Sequence, residues 1–321
     1  MSAVLQVEGL RKHFVSRKGF PKPRTVTVRA VEDVSFTIAP GEAFGLVGES
    51  GCGKSTVARA LLRLVEPDAG RVLYRGEDLS TARGDALKAL RRKLQIVFQD
   101  PYSSLDPRQS IGSALVEPMR VHGIADGAEA RRRAAALLEE VGLPPAALDR
   151  LPHEFSGGQR QRIGIARALT VEPELIIADE PVSALDVSVQ AQVLLLLKEL
   201  RQRRGLAFLF VSHDLSVVRW FCDRVAVMYL GRIVEEGPAS RVLADPLHPY
   251  ARMLRDASPI PDPSRRAELP RILGEIPSAA NPPSGCPFHP RCAQAMEVCS
   301  REMPRWTALA GQGGVACHLH G

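Results

Sequence analysis

Apolar, β-prone runs recur along the chain at 43–47, 95–98, 175–178, 207–211 and 224–228, and segments of helical texture at 54–64, 131–141, 158–170 and 189–204 fall between them. That alternation predicts an α/β fold. Residues 108–172 carry several helical segments and no strand signal, so a helical insertion is expected there. From Pro246 onward the texture changes: twelve of the chain's 25 prolines fall in its last 76 residues and periodicity fades. The core is therefore expected to end near residue 255, leaving a tail, 256–321, held by something other than a large core. No internal repeat or low-complexity tract interrupts this order.

With 45% hydrophobic and 24% charged residues over 321 positions, the composition is that of a globular protein and excludes disordered or fibrous classes. No stretch approaches the roughly 18 apolar residues that a membrane span requires, and the first 14 residues lack a charged start followed by an apolar run, so a cytosolic, non-exported protein is expected. The net charge of +6 suggests a nucleic-acid footprint until it is located. Residues 1–30 hold seven Lys/Arg and one acid, which accounts for the whole excess. One short basic arm is too little for a surface that tracks phosphates, and no nucleic-acid partner is expected. No role is assigned to the basic segment 16–28.

The strongest chemical signal is Gly48-Glu49-Ser50-Gly51-Cys52-Gly53-Lys54-Ser55, followed by Thr56. It matches G-x-x-x-x-G-K-[ST] and joins an expected strand to an expected helix, the context that a phosphate-binding loop needs. Its glycines let successive N–H groups curl around phosphates, Lys54 is placed to reach the β- and γ-phosphates, and Ser55 to hold Mg²⁺. The apolar run 175–178 ends in Asp179 and Glu180, where buried carboxylates hold a cation or a proton. Asp179 suits the Mg²⁺ shell, and Glu180 suits a general base that polarises the attacking water. Ser156-Gly157-Gly158-Gln159 opens another helix and supplies a second anion site on the same chain.

At this point the sequence resembles the ATP-binding subunit of an ATP-binding-cassette (ABC) transporter, whose signature motif is matched with Phe155 where Leu is commoner. Gln99 in Phe98-Gln99-Asp100-Pro101 is similar to the family's Q-loop glutamine, which joins the Mg²⁺ shell. Asp186 in Ser183-Ala184-Leu185-Asp186 is similar to its D-loop, and His213 in Val211-Ser212-His213-Asp214 to its switch histidine. Phe14, with His13 as competitor, resembles the aromatic that stacks on adenine. The resemblance implies a P-loop ATPase core with an antiparallel β subdomain and a helical insertion. It further implies two ATPs sandwiched head to tail between two nucleotide-binding subunits, Ser156–Gln159 of one facing the P-loop of the other.

The segment 98–108, the segment 179–190 and the tail pattern Gly274-Glu-Ile-Pro-Ser…Asn281-Pro-Pro-Ser-Gly-Cys286-Pro-Phe-His-Pro-Arg-Cys292 resemble those of the oligopeptide/dipeptide importer ATPases, although Leu151 stands where that family usually has Tyr. This implies an ATP-hydrolysing motor, residues 1–255 with a helical subdomain at about 101–172, lying peripherally on the cytoplasmic face of the membrane. Its partners are two permease subunits, a second ATPase subunit identical or homologous to it and, indirectly, a solute-binding protein. The permease groove is expected at 101–151 and Gln99. Four of the six cysteines, Cys286, Cys292, Cys299 and Cys317, crowd the tail with five, six and seventeen residues between them. Spacing lacks the C-x₂₋₄-C pairs usual for structural zinc, and the resemblance favours a [4Fe–4S] cluster, zinc remaining the alternative. A DNA-repair or chromosome-organising ABC ATPase combines the same motifs but separates them by coiled coil or large inserts, which this compact chain lacks. A P-loop kinase leaves Ser156–Gln159, Asp186 and His213 without a task.

Overall fold

The computed structural model describes residues 3–18, 24–100, 102, 104–257 and 274–321. In chain order the strands are β1 (Leu5–Lys18), β2 (Arg24–Ile38), β3 (Ala43–Val47), β4 (Ala69–Tyr74), β5 (Glu77–Asp78), β6 (Leu94–Val97), β7 (Leu175–Asp179), β8 (Ala207–Ser212), β9 (Arg224–Tyr229), β10 (Arg232–Pro238), β11 (Thr307–Leu309) and β12 (Gly313–Val315). The helices are α1 (Lys54–Leu61), α2 (Gly84–Lys93), α3 (Ile111–Val121), α4 (Gly127–Glu140), α5 (Gly157–Leu169), α6 (Val187–Arg204), α7 (Leu215–Phe221), α8 (Ala239–Val242), α9 (Pro249–Ala257) and α10 (Glu297–Arg301). The chain forms two compact units, one built on Ile38–Glu42 and Tyr74–Val211, the other on Gln6–Thr37, Ala43–Leu73 and Ser212–Gly321.

In the first unit β7 runs parallel to both β6 and β8, with Val97 opposite Ala178 and Asp179 opposite Val211. Every residue of β7 and β8 is buried, which is why both read as unbroken apolar runs and not as alternations. The expected helical insertion is present: α3, α4 and α5 pack on one another, and the described residues between β6 and β7 contain no strand. Local chemistry starts these helices. Ser110 Oγ accepts from the Ser113 N–H ahead of α3, and Asp126 Oδ1 accepts from the Gly127 N–H ahead of α4.

The second unit carries strands in the order β11-β12-β10-β9-β3, with β3 parallel to β9 and the other neighbours antiparallel. The strands β2, β1 and β4 belong to a separate sheet. The tail departs from the expectation that packing holds little of it. Its β12 extends the sheet, Val315 pairing with Glu235 of β10. Phe288 is buried against Tyr229, Tyr250 and His248, with ring centroids 5.3, 5.4 and 5.8 Å away. One aromatic anchor and three paired residues bury surface without any helical or strand period, so hydrophobic patterning could not announce them.

Candidate functional site

The P-loop begins where β3 ends at Val47 and closes on α1, whose first residue is Lys54. Glycine is required at both ends of the loop. At Gly48 (φ +155°) a Cβ would run into the Met228 carbonyl oxygen, and at Gly53 (φ +111°) into that of Ala30. The backbone thus makes a concave turn that no larger residue leaves open. Lys54 is buried, and its ammonium donates to the carbonyls of Gly48 at 2.7 Å and Glu49 at 3.0 Å, curling back over the loop. His213 belongs to this same unit, exposed just after β8. Asp214 beside it caps α7 by accepting from the Ser216 and Val217 N–H groups.

Gln99, the signature residues, Asp179, Glu180 and Asp186 belong to the other unit. Asp179 is buried at the end of β7, and the next residue, Glu180, takes a left-handed backbone (φ +48°), unusual for a residue other than glycine. Three hydrogen bonds hold that conformation: the Glu180 N–H donates to the Val211 carbonyl at 3.0 Å, and the Ser183 N–H and Oγ–H donate to the Glu180 carbonyl at 3.3 and 3.1 Å. Strain kept in place by its surroundings is a mark of functional positions. Gln99 Nε2 donates to Glu180 Oε2 at 3.1 Å, so two of the residues singled out by sequence meet directly.

Ser156 and Gln159 form a reciprocal cap on α5, in which Ser156 Oγ accepts from the Gln159 N–H at 3.3 Å and Gln159 Oε1 accepts from the Ser156 N–H at 3.0 Å. Both are exposed, and Gly158 beneath them is packed against Val189 of α6. Gln161, one turn on, is buried and donates to the Phe98 carbonyl at 3.4 Å, tying the signature helix to the segment bearing Gln99. Asp186 caps α6, accepting from the Val189 N–H at 3.0 Å and from Ser188 Oγ at 2.9 Å, and these bonds hold its carboxyl below the usual carboxylate range.

Near the amino terminus, His13 is engaged with Glu32 (Nε2 to Oε2, 2.9 Å), while the Phe14 ring is 42% exposed with the Lys12 ammonium 5.6 Å from its centroid. In the tail, Cys286, Cys292, Cys299 and Cys317 line one cavity, together with His248 and His289. Burial pushes the Cys286 thiol up to about 11 and raises those of Cys292 and Cys317. His248 Nδ1 accepts from the Tyr250 N–H at 3.0 Å, and its Nε2 is buried with no hydrogen-bond partner. Among the described residues no group of three His, Cys, Asp or Glu side chains is placed to hold a metal ion, so the metal expectation for the tail is not met by a ready-made single-ion site. Sequence reasoning missed Arg291 and Tyr250, both of which touch Glu49 of the P-loop. Arg291 had no signal beyond its place in the Cys286–Cys292 pattern.

A further cavity in the first unit is lined by Phe98, Asp106, Glu117, Val121, His122 and Arg167 among others, drawn from the end of β6, α3 and α5. Pro101, where the expected groove begins, lies outside the described residues. Among the described residues no helix is long and apolar enough to cross a membrane.

Residues 31–183 match the ABC transporter family, and residues 234–299 match the oligopeptide/dipeptide transporter C-terminal region. The chain is 53% identical to a probable peptide ABC transporter ATP-binding protein, y4tS, of Sinorhizobium fredii, over 99% of this chain and 90% of that protein. It is 48% identical to the oligopeptide transport ATP-binding protein AppF of Bacillus subtilis, over 99% of this chain and 97% of that one. Among solved structures, the dimeric post-hydrolysis state of the ATP-binding cassette MJ0796 with ADP and Pi superposes with a TM-score of 0.64 at 30% identity, covering 73% of this chain and 98% of the cassette. Nothing in these matches favours a DNA-repair or chromosome-organising ATPase.

Proposed function

The chain belongs to the ATP-binding proteins of peptide-type ABC transporters, and from that membership we propose that it is the ATP-hydrolysing motor of an importer for oligopeptides, dipeptides or related small solutes. The observation that carries this reading is one chain joining a P-loop, a reciprocally capped signature helix and an acid-ended buried strand to the peptide-transporter C-terminal region. Residues 1–255 form the ATPase, with the helical segment 101–172 turned to the permease, and 256–321 form the tail.

The open turn between Gly48 and Gly53 and the Lys54 ammonium curled over it fit a nucleotide's phosphates. Lys54 would bind the β- and γ-phosphates, and Ser55, Asp179 and Gln99, as the family's motifs imply, would supply oxygen ligands for Mg²⁺, which when bound neutralises phosphate charge. Glu180, oriented by the Gln99 amide, takes a proton from the attacking water, and His213 stabilises the γ-phosphate side of the transition state. Phe14 stacks on adenine; its exposure supports it over His13, which is engaged with Glu32. Exposed Ser156 and Gln159 donate to the γ-phosphate held by a second subunit, identical or homologous, with Asp186 at the seam.

The motor sits peripherally on the cytoplasmic face of the membrane beside two permease subunits, which pass on solute from a binding protein. The cavity beside Phe98 and Glu117 receives a short permease helix, so that closure around ATP moves the permease. Cysteines placed at Glu117 and Val121 are expected to cross-link to cytoplasmic permease loops in the assembled complex. Labelling confined to a distant surface sinks this docking.

Cys286, Cys292, Cys299 and Cys317 line one cavity and would be the ligands of a [4Fe–4S] cluster of structural role, which their spacing and the likeness to peptide-transporter tails favour, with zinc as the alternative. Protein purified without oxygen is expected to be brown and to carry stoichiometric iron and acid-labile sulfide, both lost on replacing any of the four cysteines by Ser. A colourless preparation with one tightly bound zinc overturns the cluster and leaves the ATPase reading intact.

A further inference from the structure

Glu49, the second residue of the P-loop, is an acid in a turn whose task is to receive a polyanion. Three contacts fix it. Its N–H donates to Tyr250 Oη at 2.8 Å, its carbonyl accepts from Lys54 Nζ at 3.0 Å, and its carboxylate takes both arms of Arg291 at 2.8 and 3.0 Å. Arg291 lies 242 residues away in the tail, immediately before Cys292, with its side chain only 2% exposed and that of Glu49 21% exposed. Its guanidinium is further enclosed by the rings of Tyr229 and Phe288, each centred 5.9 Å away.

An uncompensated carboxylate at this position repels incoming phosphates and competes with them for the Lys54 ammonium. A forked arginine removes that charge and, being planar and paired twice, also fixes where the loop's first turn stands. Neither Arg291 nor Tyr250 belongs to a nucleotide-binding motif. We propose that Arg291 is a positioning residue for the P-loop: by neutralising and anchoring Glu49, the tail sets the affinity of the loop for Mg-ATP. This rests on the reading of Gly48–Ser55 as the phosphate cradle. It gives the tail a part in the ATPase cycle.

The test is Mg-ATP and Mg-ADP affinity of the full-length protein, measured with steady-state hydrolysis. Arg291→Met keeps the side chain's bulk and is expected to weaken both nucleotides about ten-fold or more, since it strands a partly buried carboxylate beside the phosphates. The loss should appear in KM, with kcat at saturating ATP nearly unchanged. Adding Glu49→Gln to that variant removes the stranded charge and is expected to bring affinity back to within about three-fold of wild type. Arg291→Lys keeps the charge without the fork and should fall between, which preserves the test if Arg291→Met does not fold. Wild-type affinity in both arginine variants, or a double variant no better than Arg291→Met, overturns the proposal and leaves the cradle reading standing. Failure of the wild-type chain itself to bind Mg-ATP overturns both.

Discussion

Glu180→Gln is expected to bind Mg-ATP and keep two subunits associated around it while hydrolysing it about 10²–10⁴-fold more slowly than wild type. The substitution keeps the side chain's length and one acceptor oxygen, which a turn of the amide places where Oε2 takes the hydrogen bond from Gln99, and only the basicity needed to accept water's proton is lost. The backbone has no cause to move either. The left-handed conformation at 180 is held by main-chain bonds to Val211 and Ser183, none of which involves the carboxylate. Burst and steady-state hydrolysis, read beside nucleotide retention and size-exclusion chromatography with ATP, separate chemistry from closure. Turnover near the wild-type rate removes Glu180 from the base's role. Loss of nucleotide binding instead shows that the carboxylate served the ground state.

The two halves of this chemistry differ in how openly the sequence declares them. A loop that must wrap phosphates needs glycines at fixed offsets from a lysine, and a carboxylate at the end of a buried strand needs an unbroken apolar run before it. Both constraints are local, so Gly48–Ser55 and Leu175–Glu180 are legible from adjacent residues alone, and β3 runs over the same residues that the apolar pattern picks out. Helix ends follow where a capping side chain is present, as at Ser156 and Asp186. The Gln99–Glu180 contact joins residues 81 apart, and only likeness to a known family brought the two into one list. The Arg291–Glu49 pair spans 242 residues and has no period, no cap and no spacing rule behind it. Its partners become visible only when folding sets β9, the start of α9 and the Phe288 turn beside the P-loop, within the unit they share. The tail misled for the same reason: its prolines and irregular texture hid a buried aromatic and a strand that extends a sheet.

Replacing Gly158 tests whether the signature motif acts through its position. A Cβ at 158 overlaps Val189 Cγ1 in the first turn of α6, and a β-branched side chain in a helix has little rotamer freedom with which to yield. Gly158→Ala therefore has to push the start of α5 away from α6. The Ser156–Gln159 cap rides on that first turn, and so does the Asp186 cap on the other side of the contact, since Asp186 binds the Val189 N–H. A displacement of about 1 Å at groups that must meet the partner's γ-phosphate is expected to lower hydrolysis about 10²-fold. Binding of Mg-ATP to the same chain's own P-loop should stay near wild type, because none of the loop's residues belongs to this contact. The cause is separable from a general loss of stability by removing the obstacle: Gly158→Ala with Val189→Ala gives the new methyl room, and hydrolysis should recover most of the loss. If Gly158→Ala turns over like wild type, or Val189→Ala brings nothing back, close packing of α5 on α6 is not what places the signature residues for catalysis.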